Sequence, residues 1–450
     1  MSEIRNVLLV SVDCLREDVF KQGLEEGLFP NCAELYDDSL DFTETYTVAN
    51  TTDPSLTAFM TAKYPFEHGV VENGWGLSEE HDTAGEGFQA AGMDTFGVVS
   101  VDHLAADHSK LDRGFDRYED GQAYGRLYPI LSRIYDTKTF NTVFGAVKNL
   151  GIGRYTVKNL LRDLGLISLH CRSARAVTDD AIDCLDDVAP PSASEGDGEH
   201  GTNDEESGFF GWVHYFDVHE PRNAPRDLLD DHDEYTAAMM RVDDHVGELQ
   251  AELEARGIAD ETLVVFTGDH GEALGEHGYE GHGRTLYDEE INVPLAFDHD
   301  ALPDEQIETQ VRTIDILPTL LSLVDAPPLE AAGEPIFDFT TVEPGDDADS
   351  PDLDLEDRQL FTMAYPTFGD AVATRTPDWK LIRDREEDAE ELYDLESDPE
   401  ELDDLANDEG ARRDAMADDL DRWLAEFGEI ERQEIDSDTE EMLADLGYME

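Results

Sequence analysis

The run Val7-Leu8-Leu9-Val10-Ser11-Val12, followed at once by Asp13, is the stretch on which the fold turns. It is short, continuous and apolar, with no alternation. That pattern reads as a strand buried on both faces, and such strands belong to parallel sheets covered by helices on either side. Similar runs recur at residues 96–101, 209–215, 263–266 and 293–297. Helix-period segments lie between them, for example 235–256 and 315–324. The alternation predicts an α/β fold, a doubly wound, mostly parallel sheet with helices on both faces.

Outward from that frame, residues 1–340 read as the main domain. It is interrupted at 190–208 by a Ser, Gly and acid-rich surface loop. The segment 122–188 reads as mostly helical. A second acidic low-complexity stretch at 342–358 marks the start of a smaller C-terminal α+β subdomain over 341–450. That part holds strand candidates at 360–364 and 380–383 and an amphipathic helix at 411–427. No internal repeat is present.

The 450 residues carry a formal charge of −77, and only seven of the 31 basic residues are lysine. Recognition of nucleic acid through a basic surface is excluded at this charge, as is adsorption to an anionic leaflet. Hydrophobic residues make up 40% of the chain, enough to argue against disorder throughout. The acids are spread along the whole sequence. Low lysine with dispersed Asp and Glu resembles proteins of halophilic archaea, whose cytoplasm is rich in potassium salt. At molar salt the Debye length falls to ~3 Å and the self-repulsion is largely screened.

Four cysteines, Cys14, Cys32, Cys171 and Cys184, form no CxxC pair, so neither a zinc knuckle nor a disulfide framework is indicated. The first apolar run is too short for a signal sequence and no later one reaches membrane-spanning length. A cytoplasmic location is the expectation.

Ligands in an open α/β sheet gather beyond the carboxyl ends of the strands. Asp13 follows the first strand directly, and Asp269 and His270 follow the strand at 263–266. Two acids and an imidazole at such ends make a donor set suited to a divalent cation. The bland reading makes Asp13 a helix cap and Gly268-Asp269-His270-Gly271 a turn. Thr52 precedes Asp53-Pro54 and an apolar helical run, which would expose its hydroxyl at a helix N-terminus.

These segments resemble the sulfatase family of the alkaline phosphatase superfamily. The resemblance extends through Asp112-Arg113-Gly114-Phe115-Asp116, the stretch from His214 to Pro221, Glu276-His277-Gly278, Gly281-His282-Gly283 and Glu391-Leu392-Tyr393-Asp394-Leu395. The match runs in order from about residue 5 to 407. It implies an alkaline phosphatase-like fold with Asp13, Asp269 and His270 holding a divalent metal, calcium or magnesium first, zinc or manganese as alternatives. It places Thr52 at the nucleophile position, His219 at the substrate-contacting histidine and His282 where a basic group meets the ester's anionic oxygens. Lys63 would add positive charge nearby. His214 is a buried strand histidine or, with Asp217, His219 and His282, a contributor to substrate or to a second metal.

Three departures matter. Thr52 stands where sulfatases carry the Cys or Ser converted to formylglycine, Leu56 stands where an arginine is expected, and Cys14 replaces a second acid. A threonine alkoxide is the nucleophile of related phosphodiesterases, so the reading is a metal-dependent hydrolase of an anionic sulfate or phosphate ester, on a small molecule or a glycan. Transfer of a phosphoglycerol or phosphoethanolamine group to a glycan, or a catalytically silent anion-binding protein, are the alternatives. The charge reading carries its own test. The melting temperature is expected to rise steeply between millimolar and molar KCl, and an unchanged value would refute the screening account.

Overall fold

A computed structural model describes residues 4–120, 170–190, 208–337, 355–367, 369–387, 389–428 and 433–448. Much of the expected 122–188 segment and most of both acidic stretches lie outside the described residues. The eight strands of the main sheet are, in chain order, β1 (Asn6–Val12), β2 (Ser39–Phe42), β3 (Asp94–Val98), β4 (Arg117–Glu119), β5 (Phe209–Tyr215), β6 (Thr262–Gly268), β7 (Leu295–Asp298) and β8 (Glu305–Ile307). Their order across the sheet is β8-β2-β7-β6-β1-β5-β3-β4. All neighbours run parallel except at β7, which is antiparallel to both β6 and β2. The ladder of β7 begins at Leu295, because Pro294 has no N–H to donate.

Strand β1 is central, and all its residues are buried. Its side chains alternate between two cores. Leu8, Val10 and Val12 meet α1 (Glu17–Glu25) and α2 (Pro30–Asp37) on one face. Val7 and Leu9 face the other core, which holds α3 (Thr52–Thr61) and α4 (Ala84–Ala90). Helices α5 (Ala174–Val188) and α6 (Glu234–Arg256) pack with α1 and α2, whereas α7 (Ile316–Leu323) packs with α3 and α4. Phe88 of α4 stacks on Phe210 of β5 with centroids 4.0 Å apart. The expected mostly parallel, doubly covered sheet is thus observed, and it places α3 directly over the end of β1.

The C-terminal part is an antiparallel sheet of β9 (Leu360–Met363), β10 (Ala371–Arg375), β11 (Trp379–Asp384) and β12 (Ala389–Asp394), with α8 (Gly410–Leu424). Trp423 of α8 stacks on Phe361 at 4.8 Å and meets Tyr64 edge-on at 5.3 Å, so α8 bridges this sheet and the main core. A buried ion network makes the second bond. Lys380 Nζ lies 2.8 Å from both Asp288 Oδ1 and Glu401 Oε1, and Arg375 lies over the Tyr46 ring while pairing with Asp288 at 3.0 Å. Burial alone would raise the Asp288 carboxyl, but Arg375 and Lys380 outweigh it and hold the group well below the usual carboxylate range.

Beyond α8, residues 433–448 return to the main domain. The Gln433 side chain pairs with both backbone groups of Gly76, at 3.0 and 3.1 Å. Helix α9 (Ser437–Leu446) is capped by Asp436 and buries Leu443 and Leu446 in the main core. Among the described residues no helix is long and apolar enough to cross a membrane. Lys380→Met would leave Glu401 buried without its cation, while Asp288 keeps Arg375, so we expect a loss of about 3–5 kcal/mol, read from the denaturant midpoint in molar KCl.

Candidate active site

Strands β1, β5 and β6 end in register, with Val12 opposite Tyr215 on one side and Gly268 on the other. The next residue on β1 is Asp13, and the next on β6 is Asp269. Two carboxylates therefore meet at neighbouring strand ends, roughly one strand spacing of ~4.8 Å apart. The chain turns sharply after Asp13. Cys14 adopts a left-handed conformation (φ 59°) and donates its N–H to Asp269 Oδ1 at 3.2 Å. The Asp269 carboxylate also accepts the His270 N–H at 2.8 Å. The His270 Nδ1 lies 2.9 Å from the Gly271 carbonyl, which turns Nε2 toward Asp13 and Asp269 at 3.9 and 3.6 Å. Position 271 admits only glycine, because a Cβ there would sit 2.1 Å from the Glu289 carbonyl oxygen.

Thr52 opens helix α3 above this group. Its Oγ1 lies 3.1 Å from Asp13 Oδ2, 3.4 Å from His270 Nε2 and 2.9 Å from Tyr448 Oη. The first turn is pinned by Asp53, whose carboxylate accepts the Gly74 N–H at 2.6 Å and pairs with His103 Nδ1 at 2.5 Å. Burial opposes charge on His103, yet Asp53 outweighs it and raises the imidazole above its usual range, while Nε2 is buried without a partner.

His219 stacks on Phe216 at 4.2 Å and brings Nε2 to 2.8 Å from Tyr448 Oη. Burial, then His282 and His270, hold its ring well below the usual imidazole range, so it is neutral. His282 Nδ1 lies 3.5 Å from Cys14 Sγ and 3.9 Å from Glu272 Oε1, and its Nε2 is unpartnered. Arg222 completes that side as an ion pair with Glu272. Buried Glu290 accepts from Gly283 N and Asn50 Nδ2, both at 2.8 Å, and so ties the His282 loop to the approach to Thr52.

The structure thus gathers Asp13, Thr52, His219, Asp269, His270 and His282. Two sequence candidates stand elsewhere. Lys63 follows the far end of α3, about 15 Å along the axis from Thr52, and faces His81 at 3.5 Å. The resemblance places it near the ester, but helix α3 carries it away from Thr52. His214 is fully buried, 3.0 Å from Ser11 Oγ and 3.6 Å from Asp13 Oδ2, with burial pulling its pKa down to about 4. It is a neutral, buried strand histidine behind Asp13, with Nε2 left without a hydrogen-bond partner. Leu56 is buried and lines a small cavity with Ser11, Ser55, Phe59 and Thr267. His103, Glu272, Arg222 and Tyr448 were missed. His103 and its neighbour Asp102 follow the 96–101 run, so the strand-end rule that found Asp13 applied to it as well. No local signal marked Tyr448.

Whether a cation fits can be judged from the donors. Asp13 Oδ1 and Asp269 Oδ2 are buried without a partner, and donor atoms of Asp13, Asp269 and His270 lie within 4.8 Å of one another. The same holds for Asp13, Cys14 and His219, and for Cys14, His270 and His282. Two oxygens and a nitrogen suit a hard or borderline divalent ion, and the Cys14 sulfur adds a softer donor. Burial, then the neighbouring Asp13, pushes Asp269 up to about 6. A bound cation must displace that proton. We expect the rise in melting temperature on adding divalent metal to shrink as pH falls through about 6, and to vanish in Asp269→Asn.

Comparison with known proteins agrees with this geometry. The family model described as Sulfatase matches residues 5–326, and one described as N-sulphoglucosamine sulphohydrolase, C-terminal, matches 275–427. An ulvan-active sulfatase of Formosa agariphila is 23% identical over 316 residues, 65% of this chain and 56% of that protein. The low-salt glycan biosynthesis sulfotransferase Agl7 of Haloferax volcanii is 30% identical over 152 residues, 33% of this chain and 34% of that one. The matched part thus spans 56% and 34% of the length of these two curated relatives. A carrageenan-oligosaccharide complex, Ps i-CgsB with k-i-k-neocarrahexaose, superposes with a TM-score of 0.67 at 17% identity, covering 98% of this chain and 97% of that one. A phosphonate monoester hydrolase from Silicibacter pomeroyi gives 0.63 at 18% identity, covering 94% of each chain. With the family pattern running through the sheet, α3 and the Asp269-His270 turn, the chain belongs to the sulfatase family.

Proposed function

We propose that this chain is a metal-dependent hydrolase of sulfate or phosphate esters with Thr52 as its nucleophile. The observation that carries the reading is the Thr52 hydroxyl at the N-terminus of a fully buried helix, hydrogen-bonded to Asp13 Oδ2 at 3.1 Å. Helix dipole and free N–H groups favour an anion there. Asp13, Asp269 and His270 would hold the cation, with Cys14 beside them inclining the set toward zinc more than calcium. A divalent ion in that position supplies neutralisation of anionic oxygen and lowers the pKa of a neighbouring hydroxyl.

The chain's own residues do the remainder. Asp13 Oδ2 accepts the Thr52 hydroxyl hydrogen and orients the oxygen for in-line attack on sulfur or phosphorus. His103, held cationic by Asp53, contributes positive charge below the reacting oxygens, where Leu56 contributes none. His219 is neutral at Nε2 and can hold or pass a proton at the leaving oxygen. His282, braced by Glu272, stands beside His219 with ring centroids 4.9 Å apart.

Threonine in place of a formylglycine precursor favours phosphoester or phosphonate cleavage, and the fold likeness to a phosphonate monoester hydrolase is consistent with that chemistry. A transfer reaction is the second reading. It is favoured by the similarity to the Haloferax sulfotransferase, which also accords with a salt-adapted chain. In molar KCl, Thr52→Ala is expected to lose bis-p-nitrophenyl phosphate and p-nitrophenyl sulfate turnover by at least about a thousandfold. Undiminished turnover would remove Thr52 from the mechanism. An added alcohol acceptor that captures the transferred group would identify a transferase.

A further inference from the structure

Tyr448 lies where a substrate would have to be. It follows α9 through the left-handed Gly447 (φ 99°) and is only 1% exposed. Its hydroxyl lies between the two groups that the preceding reading assigns to the chemistry, 2.9 Å from Thr52 Oγ1 and 2.8 Å from His219 Nε2. Its ring is boxed by the rings of His219 at 5.4 Å, His282 at 5.5 Å, His103 at 5.6 Å and Tyr365 at 6.5 Å. A core tyrosine generally needs only one partner for its hydroxyl. Here both partners are the candidate nucleophile and the candidate proton-handling histidine. Thr52 is itself fully buried, and Tyr448 is one of the groups that bury it.

We propose that Tyr448 is a built-in occupant of the substrate pocket. Its phenol oxygen fills the space between Thr52 and His219 that the sulfuryl or phosphoryl group of an ester needs, and an ester of an aromatic alcohol enters only when the 433–448 segment withdraws. The inference rests on the reading of Thr52 as nucleophile, and it names the shape the pocket accepts: a flat ring carrying an anionic group that lies between Thr52 and His219. Among the described residues the polar ties of the segment are few, the Gln433 pair with Gly76, the Thr439 contact with His108 at 3.5 Å and the Tyr448 hydroxyl itself, so its withdrawal mainly exposes Met442, Leu443, Leu446 and Tyr448. A ligand that binds only the withdrawn state has its apparent affinity reduced by the fraction of chains in that state. Because Tyr448 is tethered, it competes at a high effective concentration with any free phenol.

The test is binding of 4-methylphenol by calorimetry in molar KCl to the wild type, Tyr448→Ala and Thr52→Ala/Tyr448→Ala, with p-nitrophenyl sulfate and phosphate kinetics alongside. The expected result is at least tenfold tighter 4-methylphenol binding to both Tyr448→Ala chains than to the wild type, and a KM for the aryl esters at least tenfold lower in Tyr448→Ala. Equal binding to wild type and variant overturns the proposal, whatever the turnover. Tighter binding without turnover in any chain leaves the pocket assignment standing and refutes the hydrolase reading instead. If Tyr448→Ala does not fold, hydrogen exchange in the wild type decides the matter. Millimolar 4-methylphenol must then accelerate exchange over 437–446, and unchanged exchange there overturns the proposal.

Discussion

Two carboxylates, Asp13 and Asp269, are forced side by side because the parallel strands that carry them end on the same level, Val12 opposite Gly268. Neither group is free to move apart. Asp13 is fixed by the Cys14 turn and by its own N–H bond to the Tyr215 carbonyl at 2.9 Å, and Asp269 receives two backbone N–H groups. Burial makes both acids hold protons more tightly than usual, and the neighbouring Asp13 adds to that effect on Asp269. A divalent cation would reverse that effect. The placement of His270, Thr52 and the imidazoles above is organised around the same point.

The helix over the pair has an equally definite cause. Every residue of α3 is buried, including Thr52, Asp53 and Ser55, so each polar group needs a partner inside the protein. Ser55 donates to the Asp269 carbonyl at 2.6 Å and Asp53 engages Gly74 and His103. These bonds set the rotation of the helix about its axis, and with it the direction of the Thr52 hydroxyl. The loop carrying His282 is fixed from a third direction by Glu290. Satisfying buried polar groups and aiming reactive ones are here the same set of contacts.

Net charge of −77 is a property of the surface, whereas the site is rich in imidazole, and Asp53 raises the His103 ring above its usual range. The C-terminal sheet belongs to the site less directly. Lys380 and Arg375 anchor it to Asp288, and residues 433–448 then carry Tyr448 over Thr52.

The sheet was legible in the sequence because a strand buried on both faces must be apolar throughout, as β1, β5 and β6 are. Asp13, Asp269 and His270 were legible for a related reason: the first polar residue after such a strand falls at the ligand-binding edge whatever the rest of the chain does. Thr52 stood out through its neighbours Asp53 and Pro54, which announce a helix start. Lys63 stands away from the group because a helix intervenes between it and Thr52, whereas His214 is the buried strand histidine that its place in an apolar strand predicts. His103 needed its partner Asp53 to be seen as a cation. Tyr448 is separated from Thr52 by 396 positions, with no periodicity or motif to link them. Local sequence decides which segments become strands and what leaves their ends. Which distant side chain closes over them is decided by the packing of the whole chain, since that contact has no local energy of its own to leave a trace.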